Sequence, residues 1–480
     1  MSDRLLSGHE PLDAVLGGGL PANAISIVMG LPGTGKTIIA QQYAFQNGRH
    51  DRPAIYFSTV SEPLEKIVRF GQGLDFFDRA AIGRSVFYEN LGETVSNDGL
   101  EGVTRRIATV LKERHPRLIV IDSFKALHAF ADSRSEFRRF LHELAGRLGA
   151  FPVASLWVGE YEEAEVGSSP EFAVADAIVD LTTERLGHRG IRFLTVRKLR
   201  GSGFPSGQHA YRLSSSGLHL FPRLADMRID AGYGLGDVRV SSGIPALDDL
   251  LALGYWPGAS TLVVGPSGSG KTLMGLHFIF HGARQGEPGV IASLQENMTQ
   301  LQRIAAGFGW SLNEPNVEVM YRSPVDIYID EWAHELMQAV ERTGARRVLV
   351  DSLADLRMAA ADETRFREFV YSLVQRFSRL GVSIMMTFEV QDLFEAPRLS
   401  DSAVSHLSDN IVLLSYVREQ DSINRVMSVV KSRASHHEPG IRQFLIGRDG
   451  IVLADSLPSR GMPDIDSQSP ASHPATHRDP

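Results

Sequence analysis

The chain is written twice. The octapeptide GLPGTGKT, Gly30 to Thr37, returns as GPSGSGKT, Gly265 to Thr272, with Lys36 and Lys271 offset by 235 residues (271 − 36). Upstream, SGHEPLDAVLGGGLP answers SGIPALDDLLALGYWP; downstream, RLIVIDSFKAL answers RRVLVDSLADL, and VRKLRGSG answers VVKSRASH. The offsets are 229 for Asp122 and Asp351 (351 − 122) and 233 for Lys198 and Lys431 (431 − 198). Four blocks in one order at one period describe a duplicated unit of about 230 residues, large enough to bury its own core. The predicted domains are 1–230 and 231–457. The remainder, 458–480, is rich in Pro, Ser and His without apolar periodicity and reads as a disordered tail.

Each unit alternates short apolar runs with helical spacing. AISIVM and STLVVG feed the two glycine loops, and TIIAQQYAFQNG and TLMGLHFIFHGA follow them with helix-like apolar positions. PAIYFSTV, LIVIDS and FPVASLWV in the first half match GVIASL, VLVDS and VSIMMTF in the second. Apolar strands alternating with helices imply an α/β fold: two tandem P-loop domains, each a mostly parallel sheet flanked by helices.

The pattern G-x-x-x-x-G-K-[ST] between a strand and a helix is a phosphate cradle. Gly30, Gly33, Thr34 and Gly35 in one half, and Gly265, Ser267, Gly268, Ser269 and Gly270 in the other, let backbone N–H groups wrap phosphate oxygens. Lys36 and Lys271 then reach the β/γ-phosphates of ATP, and Thr37 and Thr272 ligate Mg²⁺ through their hydroxyls. Asp122 and Asp351 each end an apolar run, which places a carboxylate at the edge of a parallel sheet where ligands bind and metal is held. Hydrolysis also needs a group that orients or deprotonates water. Ser61 and Glu62, and Gln295 and Glu296, follow the next strand; the alternative is that both glutamates sit in a helix's first turn and favour its dipole. Lys198 with Arg200, and Lys431 with Arg433, place paired cations on one strand face, and their recurrence favours a role at the γ-phosphate.

Composition removes several function classes. The absence of cysteine excludes disulfides, thiolate metal sites and thiol catalysis. A formal net charge of −8 shows no basic excess for a nucleic-acid partner. No run approaches the length of a membrane span, and MSDRLLSGHEPLD lacks an apolar signal core, so a cytoplasmic location is expected.

At these residues the chain resembles the KaiC family of RecA-type ATPases, typified by the circadian-clock ATPase and autokinase. The likeness rests on the doubled P-loops, VIDS and LVDS, KLRG with its counterpart KSRA, and LSDSAVSHLSDNIVLLSYV. It implies two stacked rings of six subunits with ATP between neighbours, contacted across the interface by Lys198, Arg200, Lys431 and Arg433. KaiB-like or other signalling proteins are the partners such a resemblance suggests. Two departures stand out. The family carries paired glutamates where this chain has Ser61-Glu62 and Gln295-Glu296, so the first carboxylate, the general base, is missing in both halves. The kinase members also carry two adjacent hydroxyl acceptors where this chain has Ser405 and His406, leaving Ser405 as the candidate phosphoacceptor.

Three functions follow. The first is a KaiC-like hexameric signalling or timing ATPase with weak serine autokinase activity. The second is a DNA-dependent recombinase or helicase on the same fold, against which the net charge argues. The third is a non-enzymatic scaffold held together by ATP, motivated by the lost glutamates.

Overall fold

The computed structural model describes residues 4–59, 64–227, 232, 236–360, 362–390, 405–419, 422–433 and 435–454. Ser61, Glu62 and the expected tail lie outside them.

The first half runs β1 (Ile25–Gly30), α1 (Lys36–Asn47), β2 (Ala54–Ser58), α2 (Leu64–Gly71), β3 (Val86–Asn90), α3 (Gly92–Arg114), β4 (Leu118–Asp122), α4 (Arg134–Gly149), β5 (Ala154–Gly159), β6 (Ala177–Leu186), β7 (Arg189–Leu199), β8 (His209–Ser214) and β9 (Gly217–Phe221). The second runs β10 (Ser260–Gly265), α5 (Lys271–Arg284), β11 (Gly289–Ser293), α6 (Met298–Gly307), β12 (Val317–Tyr321), α7 (Ile329–Thr343), β13 (Arg347–Asp351), α8 (Glu363–Leu380), β14 (Ser383–Glu389), β15 (Asn410–Glu419), β16 (Ser422–Ser432), β17 (Arg442–Gly447) and β18 (Gly450–Leu453).

Each half builds a nine-stranded sheet, and the two orders are the same: β3-β2-β4-β5-β1-β6-β7-β8-β9 and β12-β11-β13-β14-β10-β15-β16-β17-β18. From the outer edge to β6 or β15 the pairs are parallel; beyond, they are antiparallel hairpins. The mostly parallel α/β reading therefore holds, with an antiparallel wing that alternation of strand and helix does not announce.

The central strands are buried along their whole length because helices cover both faces. β1, β2, β5, β10, β11 and β13 read as unbroken buried runs. In the first half, Ile39 and Tyr43 of α1 pack on one face, while Val103 and Ile107 of α3 and Phe137 and Leu141 of α4 pack on the other. Burying each such side chain is worth about 1.5–3 kcal/mol. Local signals mark the helix ends: Ser133 caps α4 through Glu136 N at 3.1 Å, Asn297 and Gln300 form a capping box on α6, and Asp362 caps α8.

The halves touch through the tip of the first wing. Arg189 Nη1 donates to Val325 O at 2.9 Å, Arg212 pairs with Glu331 at 2.7 Å, Arg223 pairs with Glu368 at 2.8 Å, and Tyr328 Oη donates to Gly190 O at 3.1 Å. Ile191, Phe193 and Ala210 close a small apolar cluster with Tyr328. Leu224, still within the first expected domain, already packs into the second domain's core.

Candidate functional site

In both halves the glycine loop leaves a buried central strand and enters a helix whose N-cap is a left-handed glycine, Gly35 at φ 92° and Gly270 at φ 104°. Gly30 is also at positive φ, and a Cβ there would lie 2.2 Å from Leu181 O, so the strand end admits no side chain. Side chains pin each loop. Thr34 Oγ1 donates to Leu31 O at 2.9 Å and Tyr211 Oη to Thr34 O at 2.6 Å. In the second half Tyr416 Oη donates to Ser267 O at 3.3 Å, and Arg425 lies 3.4 Å from Gly268 O. Gly33 and Gly268 hold matching φ values of 80° and 73°, and Ser269 is buried beneath its loop. Gly265 abuts Leu414 O, the counterpart of the Gly30 contact.

Lys36 Nζ donates to Leu31 O and Lys271 Nζ to Pro266 O, both at 2.9 Å, so each lysine folds back over its own loop. Burial holds the Lys36 amine below the usual lysine range, opposed by Glu160 and Asp122. Thr37 Oγ1 donates to Asp122 Oδ2 at 2.9 Å, and Thr272 Oγ1 to Asp351 Oδ2 at 2.7 Å. The third partner differs: Tyr56 Oη reaches Asp122 at 2.6 Å, whereas Thr387 Oγ1 donates to Asp351 Oδ1. Burial pushes the Asp351 carboxyl up, against the opposing pull of Thr387, Thr272 and Lys271. A hydroxyl and a carboxylate oxygen in contact are the hard donor set that Mg²⁺ takes alongside phosphate oxygens and water. Threonine and aspartate, 85 and 79 residues apart in sequence, are brought together in both halves.

Of the water-activating candidates, Gln295 is exposed and Glu296 half-buried. Glu296 Oε2 is buried with no hydrogen-bond partner, and burial, then the nearby Asp351, raises its carboxyl above the ordinary range. The second residue of this pair, rather than the first, is therefore the one electrostatically coupled to Asp351.

The paired cations lie at the other end of the sheet. Gly30 sits opposite Leu181 on β6, whereas Leu199 on β7 sits opposite Ala177. Four residues of strand separate the two levels, roughly 13 Å. Lys198 Nζ donates to Phe172 O at 3.3 Å and Arg200 pairs with Asp176 at 3.1 Å. Lys431 Nζ donates to Ser405 O at 3.2 Å and Ser408 O at 2.6 Å, and Arg433 to His406 O at 3.0 Å. Burial, then the adjacent arginine, lowers both lysines. The structure thus joins Ser405 to the second cation pair and keeps both away from their own domain's P-loop. A strand irregularity recurs here, between Ile178 and Val179 and between Ile411 and Val412. It leaves Arg197 and Val430 without opposing partners just before the lysines, a device that re-aims side chains.

Two residues were not among the sequence candidates. Glu160 follows β5 and lies 3.9 Å from Lys36 Nζ; Glu389 ends β14 and lies 3.3 Å from Lys271 Nζ. Their offset, 229 (389 − 160), is that of Asp122 and Asp351, and this repeat spacing was the available signal.

Comparison with known proteins agrees with the duplicated geometry. A family model described as ATPase: KaiC matches residues 6–225 and again 240–457. The chain is 28% identical over 464 residues to the circadian clock oscillator protein KaiC 1 of Synechocystis sp., covering 93% of this chain and 88% of that protein. It is 27% identical over 463 residues to KaiC of Picosynechococcus sp., covering 93% and 89%, and 28% over 481 residues to KaiC of Parathermosynechococcus lividus, covering 97% and 87%.

Proposed function

This chain belongs to the KaiC family of ATPases, and from that premise we propose that both halves bind Mg-ATP and hydrolyse it slowly within a hexameric double ring. The observation that carries the reading is the constellation built twice: a P-loop lysine, a threonine hydroxyl and a strand-end aspartate converging at the carboxyl edge of each sheet. In each half the loop N–H groups and helix N-terminus bind the phosphates, and Lys36 or Lys271 neutralises the β/γ oxygens. Thr37 with Asp122, and Thr272 with Asp351, hold Mg²⁺, which supplies charge neutralisation on the transferring phosphoryl group. Glu62 and Glu296 orient water in place of the missing first carboxylates. Lys198, Arg200, Lys431 and Arg433 approach the nucleotide of a neighbouring subunit, since about 13 Å of strand separates them from their own loop.

The relatives are named as circadian clock oscillator proteins, and a signalling or timing role, with KaiB-like or other signalling partners, is the process we assign here. Ser405 is the one acceptor of the hydroxyl pair that remains, so autophosphorylation is slow and confined to it. No helix among the described residues is long and apolar enough to cross a membrane.

The test measures phosphate release, retained nucleotide and phosphopeptides together in wild type, Lys36→Ala and Lys271→Ala. Each variant should lose one nucleotide site and keep the other, because neither loop helps to build its counterpart. Wild-type turnover no higher than that of the double variant would leave the scaffold reading. Phosphate on Ser400, Ser402 or Ser408 instead of Ser405 would overturn the acceptor assignment.

A further inference from the structure

The missing first carboxylate leaves the reaction without its expected proton acceptor, yet each site has another carboxylate at its edge. β5 lies between β1 and β4, and β14 between β10 and β13, so each is flanked by the P-loop strand and the metal-aspartate strand. Glu389 is in register with Gly265, the first P-loop residue, and Met29 is in register with Gly159, which places Glu160 level with Gly30. On β14, Thr387 donates to Asp351 and Glu389, two residues on and on the same face, meets Lys271 at 3.3 Å. One strand end thus spans from the metal carboxylate to the phosphate lysine. The side chains of Glu160 and Glu389 are 57% and 37% exposed, so water reaches them, while the lysines they touch are 8% and 6% exposed.

Resting on the ATPase reading above, we propose that Glu160 and Glu389 are catalytic residues that accept the proton of the attacking water. With ATP bound, the phosphates draw the lysine to the β/γ oxygens. The glutamate, until then paired with that lysine, is left beside the γ-phosphate and free to hydrogen-bond water. The water oxygen bonds to the γ-phosphorus as the bond to the β–γ bridging oxygen breaks, its electron pair leaving with ADP. The water proton passes to a glutamate oxygen and from there to solvent. Gln295 is unable to take it, because an amide is not a base at neutral pH.

The experiment compares the full chain with Glu160→Gln, Glu389→Gln and the double variant, reading turnover and nucleotide retained after desalting. Each single variant should remove one half's share of turnover. The double should lose about 10²-fold or more with nucleotide retention unchanged. Turnover within about twofold of wild type would overturn the assignment. So would a fall matched by loss of bound nucleotide, which would make the glutamates supports for binding. A wild type no faster than Lys36→Ala/Lys271→Ala would sink the ATPase reading, and this inference with it.

Discussion

At the scale of single residues, the two halves keep the same chemistry with different supports. Asp122 is steadied by Tyr56 and Asp351 by Thr387, and in the first half Val158, which has no hydroxyl, occupies the position of Thr387. A third residue of the second half titrates in a revealing way. His277 is buried under Trp310, with Nε2 accepting from Ile451 N at 3.0 Å. Burial, more than the nearby His281 and Arg284, takes its pKa down to about 4, although a hydrogen bond involving the Gly243 backbone raises it. The ring is neutral in the fold and has an ordinary pKa of 6.5 when unfolded. Its stabilising effect is therefore complete above pH 6.5 and declines as pH falls toward 4, since only the unfolded chain takes up the proton. The full loss is about 3 kcal/mol. His277→Gln, which keeps an acceptor but does not titrate, should flatten that decline. Urea midpoints at pH 7.5 and 4.5 will check it: the wild type should lose more between them than the variant.

At the scale of elements, the parallel core was legible and the wing was not. Ile25–Gly30 and Ser260–Gly265 are unbroken buried runs ending in glycine, and their sequence alone carried strand, loop and helix. The hairpins β6–β7 and β15–β16 keep no strict alternation: β6 opens with five buried residues, and β7 and β16 each carry two buried residues in a row, so an inserted residue breaks no visible rhythm. Arg197 and Val430 therefore gave no sign that they are bulged. The threonine–aspartate contacts were legible because motif and repeat coincided. Glu160 and Glu389 were not, because a lone carboxylate after a strand resembles any solvated strand end; only the lysines brought beside them by the fold give them meaning. Sequence shows only that Gln295 lacks a basic carboxylate, and the fold adds that Glu296 is the member with a buried oxygen that has no hydrogen-bond partner among the described residues.

At the scale of the whole molecule, the halves are coupled through charge. Arg365 Nη2 pairs with buried Asp330 at 2.5 Å, donates to Gln208 O of the first half at 3.2 Å, and stacks on Phe193 of the same half at 4.7 Å. Burial raises the Asp330 carboxyl, and Arg365 opposes that rise. Arg365→Ala strands a buried carboxylate and removes a tie between domains, so it should cost about 3–5 kcal/mol. Adding Asp330→Asn should recover part of it, and denaturant unfolding of both variants gives the comparison. The separation of P-loop lysine from paired cations along one sheet has a different consequence under the ring assembly proposed above: no chain would own a complete site. In such a ring each molecule would lend one half of a site to one neighbour and borrow the other half from the next. A Lys271→Ala chain and a Lys431→Ala/Arg433→Ala chain are then defective in complementary halves, and rings mixed from equal amounts of both should rebuild about one second-half site in four by chance. Turnover of the mixture should exceed the mean of the two variants measured apart, so that two broken proteins repair each other by standing side by side.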